Sequence, residues 1–372
     1  MNPASRVATG VRSVHVQIDV TAAAGLGEKV HTKITVTLPS ALDLPAMPMV
    51  CFALPGGGYS RGYFTFDMPG SNGGGQAGWH AQRGWIFVSI DHLGVGESSL
   101  PDPTKLVFEN VSAANHATVE EVLKRLAAGT LVQGFPAIKN PVVLGIGQSM
   151  GGCLTVVQQA HHNSFDGIAV LGFSAIHTRP HGLPGTPRGQ TTYIPRDAFP
   201  TGPNFNSIEN RRTKAVNSAL LQLGSNPAIY PNSTPTPAGW HYHYDDVPAQ
   251  IVKRDMERTG ELPVWRSTTL PGLILWVTSP GAIAPEAASI IVPVLAAFGE
   301  RDVLEDPRSE PKAYRNSVDV CIFICPRMAH MHNFASSREI LWSRIEKWGQ
   351  HVADLKQRLP DNWPSQLFSD SY

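Results

Sequence analysis

Gly147-Gln148-Ser149-Met150-Gly151 constrains this chain more than any other segment. It follows the apolar run from Pro141 to Ile146 and leads into Gly152-Cys153-Leu154-Thr155-Val156-Val157, so a glycine-framed serine stands between a strand-like and a helix-like stretch. A turn that tight leaves no room for large flanking side chains, and it presents the serine hydroxyl at its apex. Short glycine-serine strings also occur as plain turns; the strand-turn-helix order is what raises this one above them. A chain built on such an elbow needs three partners for Ser149: a base, an acid and an oxyanion-stabilising loop.

The pattern around the elbow predicts an α/β fold. Val14 to Val20 and His31 to Leu38 read as antiparallel leading strands, and Met49 to Leu54 and Trp85 to Ile90 as buried core strands. Short helical spacing appears around Trp79 to Gln82, longer spacing from Ala117 to Ala127, and Gly167 to Phe173 reads as the strand after the elbow helix. Strand, loop and helix repeated in this order predict a mostly parallel sheet with helices on both faces. From Ser174 to about Ile290 proline, glycine and polar residues take over, with helical candidates only at Asn210 to Gly224, Pro248 to Gly260 and Ala282 to Ile290. About 115 residues is too long for a connection, so 174–290 is expected to be a largely helical cap inserted into a core of residues 1–173 and 291–372. Pro293 to Phe298 and Val318 to Ile324 resume the sheet, and Arg338 to Trp348 closes it with a helix.

An ordinary serine hydroxyl is a poor nucleophile, so Ser149 needs a base. Phe298-Gly299-Glu300-Arg301-Asp302 places acids just past one late strand, and Ala329-His330-Met331-His332 lies just past the next. Parallel strands bring their C-terminal loops to one edge, where distant residues meet. Asp302 is thus the expected acid, ahead of Glu300, Glu305 and Asp306, and His330 the expected base, with His332 its rival. These two histidines are expected to face opposite ways, so that only one reaches Ser149. The developing oxyanion needs preorganised donors. Met150 offers one N–H at the start of the elbow helix, and the loop Pro55-Gly56-Gly57-Gly58-Tyr59 offers the other, from Gly57 first and Gly58 second.

Several function classes drop out. Thirty basic and thirty acidic residues cancel, and no basic run suits a phosphate backbone, which argues against nucleic acid. Neither glycine cluster carries the Gly-Lys-Ser/Thr of a phosphate loop, and no nicotinamide or flavin fingerprint is visible, so no cofactor is expected. No segment has the roughly 20 continuous apolar residues of a membrane span, and no signal-like stretch follows Met1 to Arg6; a soluble cytoplasmic enzyme without a membrane partner is the expectation. Cys51, Cys153 and Cys321 sit in apolar runs as small hydrophobes, and Cys321 and Cys325 bracket a buried strand. Trp240-His241-Tyr242-His243-Tyr244 has the look of a metal site, yet alternating His and Tyr suits a half-buried strand or a helix lead-in better, so no metal is expected.

These elements, in this order over nearly the full length, resemble the α/β-hydrolase superfamily. Pro55 to Ser60, the Asp91-His92-Leu93-Gly94-Val95-Gly96-Glu97-Ser98 loop, the elbow at Ser149, Gly299-Glu300-Arg301-Asp302 and His330 stand where that family has its oxyanion loop, elbow, acid and histidine. Ala329-His330-Met331-His332-Asn333-Phe334 is similar to the family's Gly-His-x-x-Asn-Phe loop, which favours His330 over His332. Pro55-Gly56 departs from the His-Gly of many members. The resemblance implies a serine hydrolase with a cap. Tyr59, Tyr63, Trp240 and Tyr242 are expected to line an apolar pocket, together with Phe64 and Tyr244, which favours an apolar or aromatic ester or lactone as the small-molecule substrate. Carbon-carbon bond hydrolysis of a diketone-like compound is the enzyme alternative, and a non-catalytic binding protein the third. A homodimer is compatible with this reading.

Overall fold

A computed structural model describes residues 10–71, 73–180, 183–185, 188, 193, 196, 237–256 and 261–359. Eight strands form one sheet: β1 (Arg12–Asp19), β2 (His31–Leu38), β3 (Met49–Leu54), β4 (Ile86–Asp91), β5 (Val142–Gln148), β6 (Gly167–Leu171), β7 (Val294–Arg301) and β8 (Val320–Ala329). Their spatial order is β1-β2-β4-β3-β5-β6-β7-β8. Only the leading strands run antiparallel, β1 to β2 and β2 to β4; every other pairing is parallel.

The helices are α1 (Thr21–Ala24), α2 (Gly62–Thr65), α3 (Gly75–Ala81), α4 (Phe108–Ala127), α5 (Met150–His162), α6 (Pro237–Tyr242), α7 (Ala249–Met256), α8 (Ile274–Val277), α9 (Ala284–Ser289) and α10 (Arg338–Arg358). Alternation along the strands feeds two cores. Val50, Phe52 and Leu54 face the layer of α4 and α5, whereas Met49, Cys51 and Ala53 face the layer of α3 and α10. With both faces covered, the expected mostly parallel, doubly layered sheet is what forms.

Helix α4 begins at Phe108, well before the expected Ala117. Ser112, Asn115 and Thr118 are buried on its inner face, and Thr118 Oγ1 lies 2.7 Å from Thr32 Oγ1. These buried polar side chains break the apolar periodicity that would otherwise have marked the helix start. Between β6 and β7 the described residues are helical or irregular, with no strand. Leu270, Leu273, Trp276, Val277, Ile283, Ala287 and Ile290 belong to the same core as α4 and α5. The 270–290 end of the expected cap is therefore packed into the main body rather than standing off it. The candidate helix at 210–224 and residues 257–260 lie outside the described residues. All four cysteines are free thiols, and among the described residues no helix is long and apolar enough to cross a membrane.

Candidate active site

The elbow stands at the C-terminal end of β5. Ser149 adopts φ 54°, ψ −119°, a backbone state that L-residues rarely hold and that costs on the order of 1–3 kcal/mol. Its surroundings impose that state. A Cβ on Gly147 would lie 2.1 Å from the Gly151 carbonyl oxygen, and one on Gly151 would lie 2.0 Å from that of Leu54. The Ser149 N–H donates to the Leu171 carbonyl at 2.8 Å, so the neighbouring strand end holds the turn from the other side.

From this perch Ser149 Oγ lies 3.0 Å from His330 Nε2, and His330 Nδ1 lies 2.7 Å from Asp302 Oδ1. Two sequence-distant loops supply the partners because β7 and β8 end beside β5 and β6. A register shift between Gly299 and Arg301 leaves extra residues on β8 around Arg327, whose φ is 51°. That bulge re-aims the chain so that His330 leaves the strand toward the elbow. Gly172, at φ 58°, lies against the cluster: a Cβ there would come within 3.2 Å of His330 Nδ1 and 3.3 Å of Asp302 Oδ1.

Asp302 is buried and satisfied on every side. Its carboxylate also accepts the N–H groups of Gly299 and Val303, each at 2.8 Å. Burial pushes the carboxyl up, but the imidazoles of His332 and His330 outweigh it and hold the group well below the usual carboxylate range. The group therefore stays ionised at neutral pH.

His332 departs from expectation. Its Nε2 lies 2.7 Å from Asp302 Oδ2, so both histidines converge on one carboxylate instead of facing opposite ways. The chain turns here instead of continuing as a strand, the His332 N–H donating to the His330 carbonyl at 3.1 Å around Met331, so strand alternation does not set the two side chains. Only His330 reaches Ser149. The His332 ring is buried, and its Nδ1 has no hydrogen-bond partner among the described residues.

The glycine loop lies against the elbow. A Cβ on Gly56 would lie 3.2 Å from Ser149 Cβ, and one on Gly57 would lie 3.9 Å from Met150 Sδ, 3.1 Å from Ile274 Cδ1 and 3.4 Å from Leu270 Cδ2. Met150 opens α5, where a helix leaves its first N–H groups without intrahelical acceptors. Gly58, at φ 77°, is the third residue of the turn in which the Tyr59 N–H donates to the Gly56 carbonyl at 3.1 Å.

The aromatic residues expected to line a pocket divide. Tyr63 is core: it packs edge-on against Tyr59, Phe64 and Phe334, and its hydroxyl accepts the Asn333 N–H at 3.0 Å. Tyr59 is also buried, its hydroxyl donating to Asp255 at 2.7 Å. The sequence pattern places both against substrate, whereas in the structure both are committed to neighbours, because a buried phenol needs a partner for its hydroxyl. Tyr242 keeps its place by the site, its ring centroid 5.6 Å from that of His330. Half-buried Trp240 lies 4.0 Å beneath the Arg301 guanidinium. The His-Tyr run belongs to α6 and the turn after it, not to a strand, and its histidines part: His241 stacks on His330 at 5.2 Å while His243 meets Asp255.

Other residues at the site carried no sequence signal. Gln148 Nε2 donates to the His330 carbonyl at 2.9 Å, tying the elbow to the histidine loop. Leu270 and Ile274 flank Gly57 from a stretch that reads as ordinary apolar filler. A serine, a histidine and an aspartate in hydrogen-bonded series, beside a glycine loop and a helix start, have the chemistry of a nucleophile, a base and an orienting carboxylate.

No protein-family model and no curated protein matches the chain. Solved structures do. A thermophilic esterase from Thermogutta terrifontis is 12% identical with a TM-score of 0.58, covering 91% of this chain and 99% of its own. A peroxisomal α/β-hydrolase from Saccharomyces cerevisiae is 11% identical with a TM-score of 0.56, covering 95% and 92%. A haloalkane dehalogenase variant from Bradyrhizobium elkanii is 12% identical, also at 0.56, covering 94% and 100%. Identities this low speak for a shared fold and not for a shared substrate.

Proposed function

We propose that this chain, whose fold is that of the α/β-hydrolases with a helical insertion, is a serine hydrolase that cleaves a carboxylic ester or lactone of an apolar or aromatic small molecule through an acyl-enzyme. The observation that carries the proposal is the unbroken path from Ser149 Oγ to His330 at 3.0 Å and on to Asp302 at 2.7 Å. Asp302 fixes the tautomer in which Nδ1 carries the proton and Nε2 faces the hydroxyl. As Ser149 attacks the carbonyl carbon, His330 takes its proton. The oxyanion is met by the Met150 N–H and by the Gly57 or Gly58 N–H. Collapse expels the alcohol, protonated by His330; water then attacks the acyl-enzyme with His330 again as base, and Ser149 is released with the acid.

The insertion is proposed to cover this site and set substrate choice. Tyr242 beside His330 and Leu270 with Ile274 beside Gly57 support an apolar acyl group rather than a charged one. The test is a panel of aryl and alkyl esters, small and macrocyclic lactones and β-diketones, assayed with the wild type and Ser149→Ala. Ester or lactone turnover that falls roughly 10⁴-fold or more in Ser149→Ala is expected. Turnover confined to the diketones would move the reaction to carbon-carbon cleavage, and turnover that survives the substitution would overturn the serine mechanism.

A further inference from the structure

Asp255, on α7, has no exposure to solvent. A buried carboxylate is costly unless every lone pair finds a donor. Here Oδ2 accepts the Tyr59 hydroxyl at 2.7 Å and meets His243 Nε2 at 2.9 Å, while Oδ1 accepts Trp265 Nε1 at 2.8 Å and stands 3.7 Å from Arg266 Nη1. Burial pushes the carboxyl up, yet the Arg266 charge and these donors outweigh it and leave it below the usual carboxylate value. Its hydrogen bonds are therefore the stronger, charge-assisted kind.

What distinguishes this cluster from a merely structural ion pair is where its partners sit. Tyr59 belongs to the glycine loop. The Trp265 carbonyl accepts the Ser60 N–H at 2.9 Å, the Gly58 carbonyl accepts the Ser267 N–H at 3.0 Å, and Tyr59 and Arg266 pair as an antiparallel bridge. On the other side, the two residues before His243 accept from the histidine loop: the His330 N–H donates to the His241 carbonyl at 3.1 Å and the Met331 N–H to the Tyr242 carbonyl at 2.9 Å. Arg301, next to Asp302, donates to the His243 carbonyl at 2.6 Å. One carboxylate thus joins a segment that braces the oxyanion loop to a segment that braces the base, and none of its partners lies on the sheet.

We propose that Asp255 is a positioning residue, setting the oxyanion loop at Gly57 and Gly58 in register with the His330 loop through the insertion. This rests on the serine-hydrolase reading above. Displacing reacting groups by about 1 Å costs on the order of 10²-fold in rate, so loosening this cluster should act on turnover more than on substrate binding.

The test compares wild type, Asp255→Asn, Tyr59→Phe and Ser149→Ala on one aryl ester, with kcat of the first three expressed per active site titrated to completion by a phosphonate and turnover by Ser149→Ala expressed per folded protein. Asp255→Asn is expected to lower kcat about tenfold to a hundredfold and Tyr59→Phe about threefold to tenfold, each with KM within about threefold of wild type. Affinity for an arylboronic acid, which forms a tetrahedral serine adduct, should weaken in step with kcat. If Asp255→Asn fails to fold, Tyr59→Phe carries the test, because it keeps the ring packing and removes only the hydroxyl. Wild-type kcat per titrated site in the folded variants, with losses explained by fewer titratable sites, would overturn the positioning role. Ser149→Ala separates the two readings: turnover retained there sinks the hydrolase and this proposal together, whereas turnover lost there but unchanged in the Asp255 and Tyr59 variants sinks the positioning role alone.

Discussion

The elbow stands on β5, laddered to β3 on one side and β6 on the other, whereas the segments that brace Tyr59 and the His330 loop stand partly on α6 and α7, helices of six and eight residues. The first region holds its geometry through backbone pairing, close-approach glycines and apolar burial. Helices as short as those of the second are marginal on their own; this region is held by buried polar contacts at Asp255, His243 and Arg301. On the proposed reading, the reacting groups and their alignment therefore rest on separate supports. The sheet edge delivers Ser149, Asp302 and His330, and the insertion sets the loops against each other. Damage to the first should destroy chemistry, and damage to the second should degrade it.

The largest contrast lies within the histidine loop. His330→Ala is expected to cost roughly 10⁴-fold in kcat, since it removes the base. His332→Ala should cost about tenfold, because it removes one donor from Asp302 and acts only through that carboxylate. Steady-state kinetics on the two variants, at equal folding by circular dichroism, would break the comparison if the ranking were reversed.

A smaller effect sharpens it at the point where the insertion begins. Glu310 is buried; it accepts the Ser174 hydroxyl and the Ala175 N–H, each at 2.7 Å, just after β6. Burial raises its carboxyl to about 7, only partly offset by these donors. The folded state then binds this proton more tightly than the unfolded chain, so the associated stability is present at low pH and is lost as pH rises through about 7. Between pH 5.5 and 8 the wild type should lose about 2 kcal/mol relative to Glu310→Gln. Urea unfolding of both proteins at the two pH values checks this; an unchanged difference would mean that the carboxyl titrates in its ordinary range.

How much was legible follows the same division. β2 and β3 begin and end where the patterning placed them, because β2 alternates Ile34, Val36 and Leu38 with threonine or lysine while β3 is apolar throughout. Ser149, Asp302 and the loop of His330 and His332 could be named from strand order, since consecutive parallel strands must end at one edge, whereas the choice of His330 between the two histidines rests on the resemblance of its loop to Gly-His-x-x-Asn-Phe. The Asp255 cluster could not. Ala249–Met256 reads Ala-Gln-Ile-Val-Lys-Arg-Asp-Met, and an aspartate beside two basic residues looks like a solvated helix face. Its burial depends on Tyr59, distant in sequence, meeting His243 and Trp265 from either side of the helix, and no periodicity within the helix records that. Tyr59 and Tyr63 misled for the same reason: an aromatic ring beside a glycine loop reads alike whether it faces substrate or core.

On the proposed reading, Ser149 is the nucleophile of an acyl-transfer site. Incubating the protein with an aryl phosphonate ester, then measuring intact mass and mapping the modified peptide, tests it most directly. A single adduct on Ser149 is expected, formed by wild type and absent from Ser149→Ala. An adduct on any other serine, or none on folded protein, would contradict it.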